Sequence, residues 1–139
     1  LGRGEDEEKF KEQAKGLKNI TFEGFVDNVN DYISCFDLFL FPSRHEGLGS
    51  ILLDVMQLDV PVIATDVGGI PDIIDNGQNG LLIPPADSGA IEKSIIDLYK
   101  HPEKRAQLAD HAKETIKNYS PTTMAKRYIG LYDLIQKEL

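Results

Sequence analysis

Two short apolar runs decide the fold class: Asp37-Leu-Phe-Leu-Phe-Pro42 and Val60-Pro-Val-Ile-Ala-Thr65. Parallel strands that are buried on both faces have continuous apolar sequences of this kind. A third run is Gly80-Leu-Leu-Ile-Pro84, and a fourth, weaker one is Ile20-Thr-Phe-Glu-Gly24. The sequence therefore predicts an open parallel sheet of about four strands.

Helical patterns lie between these runs. Residues 5–16, 28–36 and 48–58 have the polar and apolar spacing of helices, and Gly16 is placed to end the first of them. Strands that alternate with helices are joined by right-handed crossovers, which place helices on both faces of the sheet. The predicted fold class is therefore α/β.

The last third of the chain is predicted to be helical. Asp87 can cap one helix, Pro102 suits the first turn of a second, and Pro121 opens a third. Apolar residues of the third helix, including Tyr128 and Tyr132, recur at helical spacing, so we expect that helix to pack against another element.

Composition limits the possible functions. The 139 residues are 41% hydrophobic and 27% charged, which fits one soluble domain. The net charge of −8 and the scattered basic residues argue against nucleic acid as a partner. The single cysteine, Cys35, excludes an intrachain disulfide and favours a cytoplasmic location; we expect it to be buried rather than nucleophilic. No apolar run is long enough to cross a bilayer.

The candidate site lies in the loops that follow the strands, because ligands of open α/β sheets bind beyond the carboxyl ends of the strands. The first loop is Ser43-Arg44-His45-Glu46-Gly47-Leu48-Gly49-Ser50, and it leads into a helix that carries Asp54. Its glycines allow close approach of a ligand, and the start of the helix offers N–H groups to an anion such as phosphate. Glu46 adds a carboxylate suited to sugar hydroxyls. Asp54 follows Ser50 by one helical turn on the same face.

The next loop, Asp66-Val67-Gly68-Gly69-Ile70-Pro71-Asp72, is also rich in glycine. A diphosphate flanked by hydroxylated groups, as in a nucleotide sugar, matches two such loops side by side. Glycine loops are also ordinary turns. Two alternatives therefore stay open: a non-enzymatic nucleotide- or sugar-binding module, and a structural α/β domain.

Taken in order, these motifs resemble the donor-binding half of the group 1 (family 4) retaining glycosyltransferases. The resemblance rests on Pro42–Gly49, Asp54, Pro61–Asp72 and Asn79–Pro84, and the opening Gly2-Arg3-Gly4-Glu5 and the Phe22-Glu23-Gly24 segment fit as well. It implies a two-domain GT-B enzyme. Residues 1–139 would be a single, partial, Rossmann-like C-terminal domain, and the acceptor-binding N-terminal domain would be absent.

The resemblance also implies an activity. Such enzymes transfer a hexose from a nucleotide diphosphate sugar to a glycan or lipid-linked acceptor, without a metal or other cofactor. Glu46 would be the catalytic carboxylate and contact the transferred sugar, and Asp54 would contact the ribose. The remaining donor contacts would be Gly47, Leu48, Gly49 and Ser50, with Ser43, Arg44, His45, Gly68 and Gly69 as further possible contacts.

This sequence departs from the family pattern at two positions. Asp54 stands where the family has Glu, and Asp59 stands where it has Gly; Asp tolerates the left-handed turn that this second position needs. The Arg and Lys pair that neutralises the leaving diphosphate would lie on an earlier segment, so we expect this chain alone to be inactive. The intact enzyme would be cytoplasmic or peripheral at the inner face of the membrane.

The same resemblance implies missing strands. In the family, residues 20–24 and 37–42 would not be neighbouring strands, and the strands between them would lie on the earlier segment. The exposed sheet edges would invite pairing. We therefore expect either direct pairing of these two segments or association with a second copy of the chain.

Overall fold

A three-stranded parallel sheet forms the centre of the computed structural model, which describes residues 2, 4 and 6–138. Its strands are β1 (Phe39–Phe41), β2 (Val62–Thr65) and β3 (Leu81–Ile83), in the order β1-β2-β3. Leu40 pairs with Ile63, which pairs on its other side with Leu81. The three strong apolar runs are therefore confirmed as strands, with β2 in the middle.

Six helices are present among the described residues, and they confirm the predicted helical segments. The first three helices are shorter than the segments predicted for them. The predicted start at Glu5 lies outside the described residues, as does Arg3 of the opening motif. Asp87 caps a helix as expected, its carboxylate accepting from the N–H of Ala90 at 2.9 Å. The helices are α1 (Glu7–Gln13), α2 (Val29–Ile33), α3 (Ile51–Gln57), α4 (Ser88–Lys100), α5 (Pro102–Ile116) and α6 (Pro121–Glu138), with 3₁₀ turns at Ile70–Asp72 and Lys117–Tyr119.

Every residue of β2 is buried, and its side chains alternate between two hydrophobic clusters. Val62 and Ala64 belong to one cluster together with Leu52 of α3. Ile63 belongs to the other together with Leu98 of α4. Because neighbouring residues of a strand point to opposite faces, the two clusters lie on opposite sides of the sheet. Helices therefore cover both faces, which confirms the α/β prediction.

The predicted strand at residues 20–24 is wrong. These residues form no ladder with any described strand, and Ile20 and Phe22 are 46% and 43% exposed. Their segment touches the start of the chain, where the N–H of Gly2 donates to the carbonyl of Gly24 at 2.6 Å. An apolar segment forms a β-strand only where another strand lies beside it to share backbone hydrogen bonds. The expected direct pairing of residues 20–24 with β1 does not occur. The described sheet has three strands rather than four.

The expected burial of Cys35 is also wrong, because this side chain is exposed. The prediction assumed that the helix extends to Phe36, but α2 ends at Ile33, which is fully buried and is the residue that anchors this segment. Cys35 lies beyond that end, where its thiol points toward the carbonyl oxygen of Asp31 at 3.4 Å.

Helix α6 does not pack as its pattern indicated. Tyr128 and Tyr132 are 57% and 63% exposed, and every residue from Met124 to Gln136 is exposed. The contacts of α6 are concentrated at its first turn, where the hydroxyl of Thr123 donates to the carbonyl of Lys117 at 2.9 Å. None of the described helices combines the length and apolarity needed to cross a membrane.

The turn between α3 and β2 confirms the prediction for Asp59. Its backbone is left-handed, with φ of 59°. Its carboxylate accepts a hydrogen bond from Nζ of Lys113 at 2.8 Å, and this bond is the largest cause of the raised pKa of Lys113. The ion pair links the turn to α5, so Asp59 has a partner that glycine would lack.

This turn allows a matched pair of substitutions. Asp59→Ala and Asp59→Gly both remove the ion pair, but only alanine keeps a Cβ in the left-handed conformation. We expect Asp59→Gly to be more stable than Asp59→Ala by about 1 kcal/mol. Alanine is strained in the left-handed conformation, and this cost exceeds the loss of stability that glycine causes through the greater entropy of its unfolded chain. Urea denaturation followed through the NMR signals of the buried β2 amides measures the difference. Equal midpoints would show that the turn relaxes at no cost.

Candidate functional site

Two loops leave the carboxyl edge of the sheet and touch at the level of their backbones. The N–H of Gly69, in the loop after β2, donates to the carbonyl of Gly47, in the loop after β1, at 2.7 Å. A Cβ on Gly68 would overlap the carbonyl oxygen of Glu46, and one on Gly69 would lie 2.7 Å from that of Gly47. The structure therefore brings together the two predicted glycine loops, and this contact leaves no room for a side chain at Gly68.

The Glu46 carboxylate lies over its own loop. Its Oε1 accepts a hydrogen bond from the N–H of Gly47 at 2.9 Å, and the side chain is half-buried. The next three backbone N–H groups, those of Leu48, Gly49 and Ser50, donate to no other described residue. A carboxylate thus lies beside a row of unpaired donors, an arrangement able to bind a hydroxylated anion.

The start of α3 is fixed by the buried Gly49. Its φ is +70°, and a Cβ there would lie 3.4 Å from Cγ1 of Ile70 and from Cδ1 of Leu52. Ser50 occupies the N-cap position, but its side chain makes no capping hydrogen bond. The positive end of the helix therefore faces the loop without a side-chain cap of its own.

The other predicted residues of the first loop and of α3 lie at the surface. The side chains of Arg44, His45 and Asp54 are exposed and make no hydrogen bond or ion pair with another described residue. Asp54 lies in the first turn of α3, as predicted. The structure thus joins Gly68 and Gly69 to the Glu46 loop but leaves these three side chains without partners in the described chain.

Thr65 is a site residue that the sequence interpretation missed. It is 1% exposed at the end of β2, and its hydroxyl donates to the carbonyl of Ser43 at 2.5 Å. The sequence shows only a polar residue at the end of an apolar run. A β-branched residue is typical of strands, so the pattern alone gave no reason to assign it a role in the neighbouring loop.

A cavity of about 1170 Å³ runs along the free edge of β1 and reaches Ser43 and Ile51 beside the first loop. Apolar side chains dominate its lining, among them Phe25, Phe36 and Leu40. It is therefore continuous with the candidate site but different in chemistry. Within the described residues, no group of three or more His, Cys, Asp or Glu side chains is arranged to hold a metal ion.

Solved structures share this fold. Alr3699/HepE of Anabaena, in complex with UDP, superposes with a TM-score of 0.82 at 22% identity over 95% of this chain and 39% of that protein. The sucrose-phosphate synthase of Thermosynechococcus elongatus gives a TM-score of 0.81 at 24% identity over 96% of this chain and 34% of that protein. At these identities the likeness shows the fold.

Sequence relatives are closer. The putative glycosyltransferase EpsD of Bacillus subtilis (strain 168) is 33% identical over an alignment of 144 positions, which covers 99% of this chain and 38% of EpsD. N-acetyl-alpha-D-glucosaminyl L-malate synthase of Bacillus anthracis is 32% identical over 114 residues, covering 81% of this chain and 30% of that enzyme. The chain therefore spans about a third of the length of these curated relatives.

A family model described as "Glycosyl transferases group 1" matches residues 1–101, which is more than half of the chain. This match, the relatives and the α/β architecture agree with one another. The chain belongs to the group 1 glycosyltransferases and corresponds to their C-terminal, GT-B-type domain.

Proposed function

We propose that this chain binds the nucleotide-sugar donor of a retaining glycosyltransferase. The enzyme moves a hexose from a nucleotide diphosphate sugar to a glycan or lipid-linked acceptor. The observation that carries the proposal is the Glu46 carboxylate beside the unpaired N–H groups of Leu48, Gly49 and Ser50. Alr3699/HepE was also solved with UDP-glucose, and the Bacillus anthracis relative is named for an N-acetylglucosaminyl product; both support a hexose-type donor.

Each group in the loop has a proposed role. The unpaired N–H groups face the diphosphate, whose charge is favoured at the start of α3. Glu46 accepts from hydroxyls of the transferred sugar, and to do so it shares or releases the N–H of Gly47. Asp54, an exposed carboxylate that pairs with none of the described residues, accepts from the ribose hydroxyls. Because Asp is one methylene shorter than Glu, a bridging water can complete this contact.

Transfer needs positive charge at the leaving group. When the glycosyl bond breaks, negative charge develops on the diphosphate oxygens. The first loop supplies one cation, Arg44, and the chain as a whole carries a net charge of −8. We therefore place the main cations, and the domain that binds the acceptor, in a longer protein of which residues 1–139 form a partial donor-binding domain.

The proposal extends to cofactor and location. The donor is bound without a metal ion or other cofactor, as the family resemblance implies. The longer protein works in the cytoplasm or peripherally at the inner face of the membrane. The single cysteine fits a reducing compartment.

We expect this chain alone to bind nucleotide sugars weakly and to transfer none of them. Calorimetric titration with UDP, GDP and ADP sugars should give dissociation constants of about 1 to 10 mM for the donor that is bound, equivalent to ~3 to 4 kcal/mol of binding free energy. The reason is that the diphosphate meets backbone donors but few cations. EDTA should leave any heat of binding unchanged. Tight binding, or measurable transfer, would refute the assignment of the missing cations to a longer protein.

In a longer protein that contains this chain, Glu46→Gln should lower kcat/KM about 10- to 100-fold, since a neutral amide replaces a charged acceptor at the sugar. Glu92→Gln, which changes an exposed carboxylate on α4, is the matched control and should have no effect. A sugar-transfer assay with saturating acceptor measures both. Unchanged activity of the Glu46 variant would remove this residue from the mechanism.

The free edge of β1 supports a second part of the proposal, which is self-association of this chain. β1 ends the sheet, so its outer backbone groups lack a ladder partner among the described strands. The cavity along this edge is apolar, and Phe25 beside it is 68% exposed. Such an edge pairs readily with another strand, and two copies can pair symmetrically through the same edge. The proposed occupant is therefore a second copy of β1.

Light scattering should show a dimer whose population rises with protein concentration. Phe25→Ser should shift it toward monomer by removing apolar contact at the cavity. Tyr99→Ser, which changes an aromatic residue that is 78% exposed on α4, is the control and should leave the dimer intact. A wild-type monomer at all concentrations would contradict self-association. Dimers that survive Phe25→Ser but are lost with Tyr128→Ser would assign the interface to α6 instead.

A further inference from the structure

We propose that Thr65 is a positioning residue for Glu46. Its buried hydroxyl ties down the start of the segment that carries Glu46, and the amide of Gly69 ties down the end. Thr65 itself reaches no ligand, since it is 1% exposed. Its effect on the donor passes through the Glu46 loop, so this part of the inference rests on the function proposed above.

Of the two residues in this hydrogen bond, Thr65 and Ser43, Thr65 is held more firmly by the sheet. It is the last residue of β2 and pairs with Ile83 of β3. Its carbonyl accepts from the N–H of Val67 at 3.0 Å, and the N–H of Asp66 donates to the carbonyl of Ile83 at 2.9 Å. The hydroxyl therefore projects from a strand whose position is set by the buried centre of the sheet.

The hydroxyl of Thr65 continues the link between the two strands beyond the end of β1. β1 ends at Phe41, and the carbonyl of Thr65 accepts from the N–H of Val67 rather than from the chain that follows β1. The next carbonyl, that of Ser43, accepts the hydroxyl of Thr65 at 2.5 Å, whereas the carbonyl of Phe41 is 3.4 Å from the same oxygen. One hydroxyl proton makes one strong bond, and the distances assign it to Ser43.

Four residues after Thr65, Gly69 provides the second tether. Its N–H donates to the carbonyl of Gly47 at 2.7 Å, with Gly68 packed against the backbone of Glu46. The three residues from Arg44 to Glu46 thus lie between two hydrogen bonds, one from the end of β2 and one from the loop that follows β2. The Glu46 side chain in turn accepts from Gly47 at 2.9 Å. Loss of the first tether frees the segment that sets the position of this carboxylate.

Three variants separate the hydroxyl from the shape of the side chain. Thr65→Val keeps the branched shape but has no donor, and Thr65→Ser keeps the donor but loses a methyl group. Ser34→Ala is the control, because it removes an exposed hydroxyl that donates to the carbonyl of Asp31 at 2.8 Å beside α2, away from the two loops. All are made in the 139-residue chain with ¹⁵N labelling.

The first measurement is amide hydrogen exchange at Gly69, expressed relative to the amides of β2 so that global stability cancels. We expect Thr65→Val to speed this exchange about tenfold, equivalent to ~1.4 kcal/mol. Thr65→Ser should stay within about twofold of the wild type, and Ser34→Ala should have no relative effect. Unchanged exchange at Gly69 in Thr65→Val overturns the proposal.

The second measurement is the shift response of the Gly47–Ser50 amides to UDP-glucose at millimolar concentrations. Thr65→Val should need about tenfold more UDP-glucose than the wild type, and Thr65→Ser should restore the response. A response in Thr65→Val equal to the wild type overturns the positioning role. If the wild type does not respond at all, the proposed donor function fails, while the exchange at Gly69 still decides whether Thr65 holds the Glu46 segment.

Discussion

The close contact between two loop backbones is the constraint on which the candidate site depends. At Gly68 the loop after β2 lies so near the carbonyl of Glu46 that a Cβ would overlap it. That proximity requires β1 and β2 to be parallel neighbours that leave the sheet at the same edge. It also requires the first loop to leave the ladder after Phe41. The position of Glu46 is thus a consequence of strand order, set by buried side chains on β2 that are remote from any ligand.

The sequence predicted those parts of the structure that depend on local chemistry. Apolar runs buried on both faces identified β1, β2 and β3, and the left-handed turn at Asp59 was expected from the glycine that the family resemblance implies there. The hydrogen bond from Thr65 to Ser43 joins residues 22 positions apart and depends on strand register, which no local pattern contains. The same limit explains the wrong strand at residues 20–24, since an apolar pattern does not reveal whether a neighbour exists.

The two sides of β2 show how one strand serves both stability and function. Its side chains join the clusters on both faces, while its carboxyl end supplies the hydroxyl and the glycine loop that brace the Glu46 segment. β1 is different, because one side of it is paired with β2 and the other lies along an apolar cavity. Hydrogen bonds from the end of β2 and its following loop therefore hold the site on one side, and the apolar cavity lies on the other side of β1.

Helix α6 is less stable than the central sheet. From Met124 onward its residues are exposed, so it lacks the tertiary packing on which helices in proteins depend. Its local opening costs much less free energy than opening of the buried β2 strand. On heating, α6 will lose helical signal before the sheet does, and the transition will not be two-state. A melting midpoint read from total helicity will therefore underestimate the stability of the loops that form the site.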